Sequence, residues 1–204
     1  MKSLLICALV VAAALSGCAT VKTEVRASGA PKLSAAIAGE RSYAFERAPS
    51  QQANGNTIDA QYEALVRDKF AQYQFVEAPA LSARYLVSIA YDTRAAAVDI
   101  DTGPCAASCV EIVAPAAAGR HGYRHALTLR FFDRRVNREI YKVTAIRHDS
   151  DADPLHAMPY LTESALAKLP YDSDGDWRVK LHTIDAGEAG KHTPVVLSIE
   201  AGEH

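Results

Sequence analysis

Two runs of alternate aspartates are the residues best placed to do chemistry: Asp149, Asp151 and Asp153, then Asp172, Asp174 and Asp176. Carboxylates at every second position can wrap a calcium ion. The second run begins like a helix-loop-helix calcium loop, but that loop needs Gly at its sixth position and Glu at its twelfth, where this chain has Trp177 and Thr183. The first run fails in the same places, with Pro154 and Tyr160. Short polar residues beside a helix commonly cap and turn the chain, so turns are the expected role and no metal ligand is assigned. His121 and His125 are four apart, a spacing that ligates a metal from one face of a helix. Gly122 and the strand-like residues after it argue against a helix there, which makes both surface histidines at a loop edge. Arg130, Asp133, Arg134 and Arg135 read as a solvated hairpin end, and Tyr85 with Tyr91 as a core face rather than a ligand pocket. The hydrolase elbow, the H-E-x-x-H zinc motif, the phosphate loop and the dinucleotide glycine pattern are absent from the chain beyond residue 17. No catalytic residue and no cofactor is therefore assigned, and a non-enzymatic protein is expected.

The four cysteines carry a different kind of chemistry. The opening MKSLLICALVVAAALSGCAT has Lys2 as its only charge, then an apolar run over residues 4–15, then small residues. That order is the layout of a secretory signal peptide. The run falls short of the roughly 20 residues that a bilayer-spanning helix needs. Leu15, Ser16, Gly17 and Cys18 resemble the bacterial lipobox, in which small residues admit the peptidase and the cysteine thiol receives diacylglycerol. The expectation is removal of residues 1–17 and acylation of Cys18; two or three acyl chains, at about 0.8 kcal/mol per buried methylene, anchor a protein stably. Ala19 and Thr20 follow the cysteine. By resemblance to lipoprotein sorting rules, this places the chain at the outer membrane, facing the periplasm. Cys7 leaves with the signal, so Cys105 and Cys109 remain, four residues apart in an oxidising compartment. A local disulfide is expected. So short a loop would gain only about 2 kcal/mol in the chain-entropy model.

Composition narrows the class. Of 204 residues, 22 are basic and 24 acidic, a formal charge of −2. Such a balance argues against a nucleic-acid binder, which shows a basic footprint. The length beyond the signal suits one domain with a sizeable core.

The elements around these residues follow from periodicity. Residues 18–40, rich in Ala, Ser, Gly and Lys, read as the lipidated N-terminus and a tether, although Val21, Thr23 and Val25 alternate as a short strand would. A globular domain is expected over 41–184. It holds a strand over 42–46, a loop over 49–55, a helix over 57–73 and a strand over 84–94. The helix carries Ile58, Tyr62, Leu65, Val66, Phe70 and Tyr73 at steps of three or four. A long Gly- and Pro-bearing excursion over 95–122 contains the cysteine pair. Two strands over 125–132 and 139–148 flank a polar turn. A second helix over 159–169 presents Met158, Leu161, Ala165 and Leu169, and Trp177, Val179 and Leu181 alternate in a last strand. Residues 185–204 read as a loose C-terminal extension. This order predicts an α+β fold, a largely antiparallel sheet with two amphipathic helices on one face.

At this level the chain resembles the envelope lipoproteins of domain-of-unknown-function family 4136. The resemblance is carried by the lipobox, by Tyr43, Ala44 and Phe45, by the strand around Tyr85, Leu86, Val87, Ser88 and Ile89, by Leu129, Arg130, Phe131, Phe132 and Asp133, and by Met158, Pro159, Tyr160 and Leu161. It covers most of residues 40–182 and implies location and fold, with no catalytic residues to carry over. The cysteine loop and the tail after Asp185 depart from the family. The functional expectation is a lipid-anchored envelope protein acting through contacts with envelope protein or lipid partners, with no nucleic-acid partner. The alternative is a periplasmic carrier of a small apolar ligand held between helices and sheet.

Overall fold

Alternation of apolar and polar residues builds the long strands, and helical periodicity supplies the layer that covers them. The computed structural model describes residues 20–47, 57–96, 122–185 and 192–202. In chain order these form β1 (Thr20–Ser28), α1 (Ala30–Ile37), β2 (Ser42–Glu46), α2 (Thr57–Gln72), β3 (Val76–Glu77), β4 (Tyr85–Ala95), β5 (Tyr123–Asp133), β6 (Arg138–Asp149), α3 (Pro154–Ala165), β7 (Gly175–Asp185) and β8 (His192–Ala201). The strands form one eight-stranded sheet in the order β3-β2-β4-β5-β6-β1-β7-β8. β2 runs parallel to β3 and β4, and the remaining pairs are antiparallel. The class is α+β.

The stretch read as tether and the tail both differ from the sequence reading, and α1 as well as β1 lies in the former. Residues 20–28, read as part of the tether, form β1, inserted between β6 and β7. Thr23, Val25 and Ala27 turn into the core, each at most 2% exposed. The following Gly29 has φ 82, and a Cβ there would sit 2.0 Å from the carbonyl oxygen of Ile140. Only glycine makes that turn so close to β6. From the tail read as loose, residues 192–201 pair with β7 as an edge strand.

The core joins alternate strand residues to the helix stripes. Tyr85, Val87, Leu127, Leu129, Phe131, Val143 and Leu181 are fully buried, as are Val66 and Phe70 of α2 and Leu161 and Ala165 of α3. Interlocking rings fill its centre: Phe70 lies 4.8 Å from Tyr43 and 5.5 Å from Phe131, and Phe131 lies 5.7 Å from Tyr141. Helix α3 starts five residues earlier than its apolar pattern indicates. Asp153 caps it by accepting from the Leu155 amide, Pro154 occupies the first turn, and Pro159 lies inside the helix.

Tyrosines tie this core together. Tyr171 donates to the Ser164 carbonyl at 2.5 Å, Tyr73 donates to the Leu166 carbonyl at 2.9 Å, and Tyr141 accepts from the Tyr171 amide. Burial pushes the Tyr43 hydroxyl up to about 12 and raises Tyr62, Tyr141 and Tyr171 as well. In the unfolded chain these groups lose their protons near their ordinary pKa, about 10. Between the two values the unfolded state binds fewer protons than the folded one, so stability falls as pH rises. The domain should unfold cooperatively on the alkaline side, with tyrosinate absorbance and circular dichroism changing together. Ordinary tyrosine titration with an unchanged far-ultraviolet spectrum would contradict this account of the core.

Candidate functional site

The residue types that could act as nucleophile, base and orienting acid meet at one end of the sheet. β4 brings Thr93, β5 brings His125 and β6 brings Arg147 and Asp149, because the β4–β5 and β5–β6 registers place Thr93 opposite His125 and His125 opposite Arg147. His125 is 1% exposed, not the surface histidine read from the sequence. Its Nε2 lies 2.8 Å from the Asp151 carbonyl and 3.2 Å from Asp149 Oδ1. A carbonyl only accepts, so Nε2 carries a hydrogen, and in the neutral ring Nδ1 accepts from the Thr93 hydroxyl at 2.9 Å.

The same order of groups, hydroxyl to imidazole to carboxylate, activates a nucleophile in hydrolytic triads. Here both ring nitrogens have partners inside the fold, and the contacts join β4, β5 and β6. Arg147 extends the cluster. Its Nε is 3.1 Å from Asp149 Oδ2 and its guanidinium lies 4.2 Å from the centre of the Tyr160 ring. The Tyr160 hydroxyl in turn reaches Thr183 Oγ1 at 3.1 Å, which links α3 and β7 to the group. Arg147 Nη1 is buried without a hydrogen-bond partner among the described residues.

Both aspartate runs have structural work. Asp149 accepts from the Asp151 amide, Asp151 from the Asp153 amide and Asp153 from the Leu155 amide, each at 2.9 Å. This staircase of side chains, each closing a turn two residues on, leads into the capped start of α3. In the second run Asp174 accepts from the Ala30 amide at 2.7 Å, at the start of α1. Asp176 holds Arg26 through two hydrogen bonds, and Asp172 pairs with Lys168.

The hairpin end is more built than its sequence indicates. Asp133 is 3% exposed and accepts from Arg84 Nη2 and from the Arg135 amide, so it is not solvated. Arg134 donates to the carbonyls of Ala80, Leu81 and Ala83. Arg130 stays on the surface, 3.7 Å from Glu139. Tyr85 is fully buried, and Tyr91 stacks on Tyr62 at 4.9 Å. The polar pair Arg47 and Glu63 on β2's continuation and α2 was not singled out by sequence; it closes a cleft of about 10 Å³ beside Phe45 and Ile89. A groove of about 530 Å³ opens elsewhere, at Gly39, Glu40, Arg41, Ser42 and Gln74. Its lining mixes the polar Glu40, Arg41, Ser42 and Gln74 with the apolar Ala38 and Val76. Cys18, Cys105, Cys109 and His121 lie outside the described residues.

No family model matches this chain, and no curated protein matches it. Among solved structures it is similar to a dodecameric PelC variant from Paraburkholderia phytofirmans, with a TM-score of 0.43 and 14% identity, over 74% of this chain and 99% of that one. It is also similar to a PDZ domain protein from Parabacteroides distasonis, with a TM-score of 0.39 and 11% identity, over 80% of this chain and 40% of that one.

If His125 is a structural joint, removing it should register in stability. His125→Leu leaves the Asp151 carbonyl and the Asp149 carboxylate short of a donor and should cost about 2–4 kcal/mol. Thr93→Val removes one hydrogen bond and should cost about 1 kcal/mol. Urea denaturation measures both, and an unchanged midpoint for His125→Leu would show that the cluster holds nothing.

Proposed function

We propose that this chain is a lipid-anchored envelope protein, exported by a signal over residues 1–17, acylated at Cys18 and held on the periplasmic side of the outer membrane. In this reading it works without catalysis, through contacts with envelope protein or lipid partners. The observation that carries the proposal is the lipobox-like Leu15, Ser16, Gly17 and Cys18, which closes an apolar run that begins after Lys2. Among the described residues no helix is long and apolar enough to cross a membrane. The attachment proposed is the lipid on Cys18.

The fold supports a contact role in one respect. We read α2 and α3 as covering the same face of the sheet, since Tyr62, Val66 and Phe70 share one core with Met158, Leu161 and Ala165 and with Val87, Leu129 and Val143. The opposite face then remains for partners. The resemblance to domain-of-unknown-function family 4136 supports the envelope location, and an oxidising envelope supports a Cys105–Cys109 disulfide.

Cys18→Ala should abolish incorporation of labelled palmitate into the full-length chain expressed in a bacterium that matures lipoproteins. Label that persists in the variant would end the anchor reading. Thiol titration of the unfolded, unreduced mature protein should find both Cys105 and Cys109 blocked, and two reactive thiols would remove the disulfide.

A further inference from the structure

We propose that the sheet face opposite the core is a docking surface for the phosphate headgroups of the membrane that holds the chain. This rests on the Cys18 anchor proposed above. On this face the strand registers assemble a row of basic residues. Arg94 of β4 pairs with Arg124 of β5, which pairs with His148 of β6. Lys22 lies two residues before Glu24, the partner of Ile146, and so comes on the His148 side; it pairs directly with Lys180 of β7. The row contains no carboxylate from β4 to β7, in a chain whose formal charge is −2.

Among the described residues its countercharges stand one row away, Asp92, Glu24 and Glu200, and that row also holds Arg178. Asp92 is shared by Arg94 and Arg124 at 3.7 Å each, and Glu200 takes Lys180 at 2.7 Å. Lys22, Arg94 and His148 are exposed. No ion pair engages Lys22 or His148 among the described residues. Arginine and lysine offer several N–H donors to phosphate oxygens, arginine in a planar fork.

Position selects the occupant. Lys22 stands two residues beyond Thr20, where β1 begins. Two residues of extended chain span at most about 7 Å, so a lipid on Cys18 brings the headgroup plane close to the row. Exposed charges act over about 10 Å at 0.1 M salt, a range that includes the near end of this face. Acyl chains and basic side chains together form the two-part attachment that holds proteins on anionic leaflets.

The test uses the native lysines of the full-length, acylated protein in vesicles of phosphatidylcholine with or without phosphatidylglycerol. Acetylation read by mass spectrometry should fall several-fold at Lys22 and Lys180 when phosphatidylglycerol is present. Lys32, exposed on α1, should not change. Higher salt should restore labelling. The double variant Lys22→Glu with Arg94→Glu alters exposed positions only and should make Lys180 labelling independent of phosphatidylglycerol. Uniform labelling of all three lysines, protection of Lys32 instead, or protection that survives the double variant would each overturn the proposal. Protection of Lys22 and Lys180 by soluble alginate but not by vesicles would overturn it in favour of an acidic polymer. The mass of the N-terminal peptide in the same sample reports acylation. An unacylated chain that still shows the expected protection separates failure of the anchor reading from failure of the surface, and an acylated chain with uniform labelling does the reverse.

Discussion

The sheet depends on the insertion of β1 between β6 and β7. Ala27 pairs with Val143 on one side and with Gly175 on the other, and the same strand meets Trp177 and Leu181 through Val25 and Val21. Without this ladder the β7–β8 hairpin loses its bonds to the meander of β4, β5 and β6. Backbone hydrogen bonds supply the connection, and Thr23, Val25 and Ala27 add buried surface beneath it. Around the joint, polar contacts fix its geometry. Asp174 receives the first amide of α1, and Arg26 and Asp176 meet across the β1–β7 register. That ion pair is largely exposed and adds little by itself. Its value is in alignment, since a one-residue slip would turn Val25 and Ala27 out to solvent.

This dependence explains which parts of the fold were legible in the sequence. β4, β5 and β6 are declared by their own alternation, and α2 by its stripe of Tyr62, Val66 and Phe70. These segments carry enough apolar surface to be read alone. β1 holds short or polar side chains at buried positions, Thr23 and Ala27 among them, and becomes a strand through partners more than a hundred residues away. β8 is similar: Val195 and Leu197 are substantially exposed, so its pattern does not mark a core face. For α3, proline is a residue type that suits a first helical turn, yet Pro159 lies inside the helix. The start is Asp153, the last step of a series of aspartate turns whose spacing reads as turns in the sequence as well.

The polar residues show the same division between composition and placement. His125 sits in a segment with turn residues before it, which reads as surface, yet strand parity turns it inward with Leu127 and Leu129. Once inside, it needs both nitrogens satisfied, and Thr93 and the 149–151 turn provide the partners. Parity along β5 contains that information, because His125, Leu127, Leu129 and Phe131 are all odd-numbered. Arg147 follows the same rule on β6, with Val143 and Ala145. Burial of an arginine is tolerable there because Asp149 and the Tyr160 ring offset part of its desolvation. Residues of the types found in a reactive centre thus also close one end of the sheet.

The placement of β1 also changes what an anchor at Cys18 would mean. A free tether over residues 18–40 would let the domain range on the order of 75 Å from the bilayer at full extension. With β1 beginning at Thr20, two residues of intervening chain reach at most about 7 Å. The lipid would then attach almost directly to an interior strand of the sheet. Motion of the domain relative to the membrane becomes tilting about that attachment rather than diffusion on a leash. Any partner of a chain so anchored would either lie in the headgroup layer or approach the domain where it stands, and a distant partner would have to supply the reach itself. Tilting is also the motion that charge can bias. A basic row beside such a pivot would need only to favour one orientation, because acyl chains on Cys18 would supply the residence time, and modest electrostatics would suffice for that task.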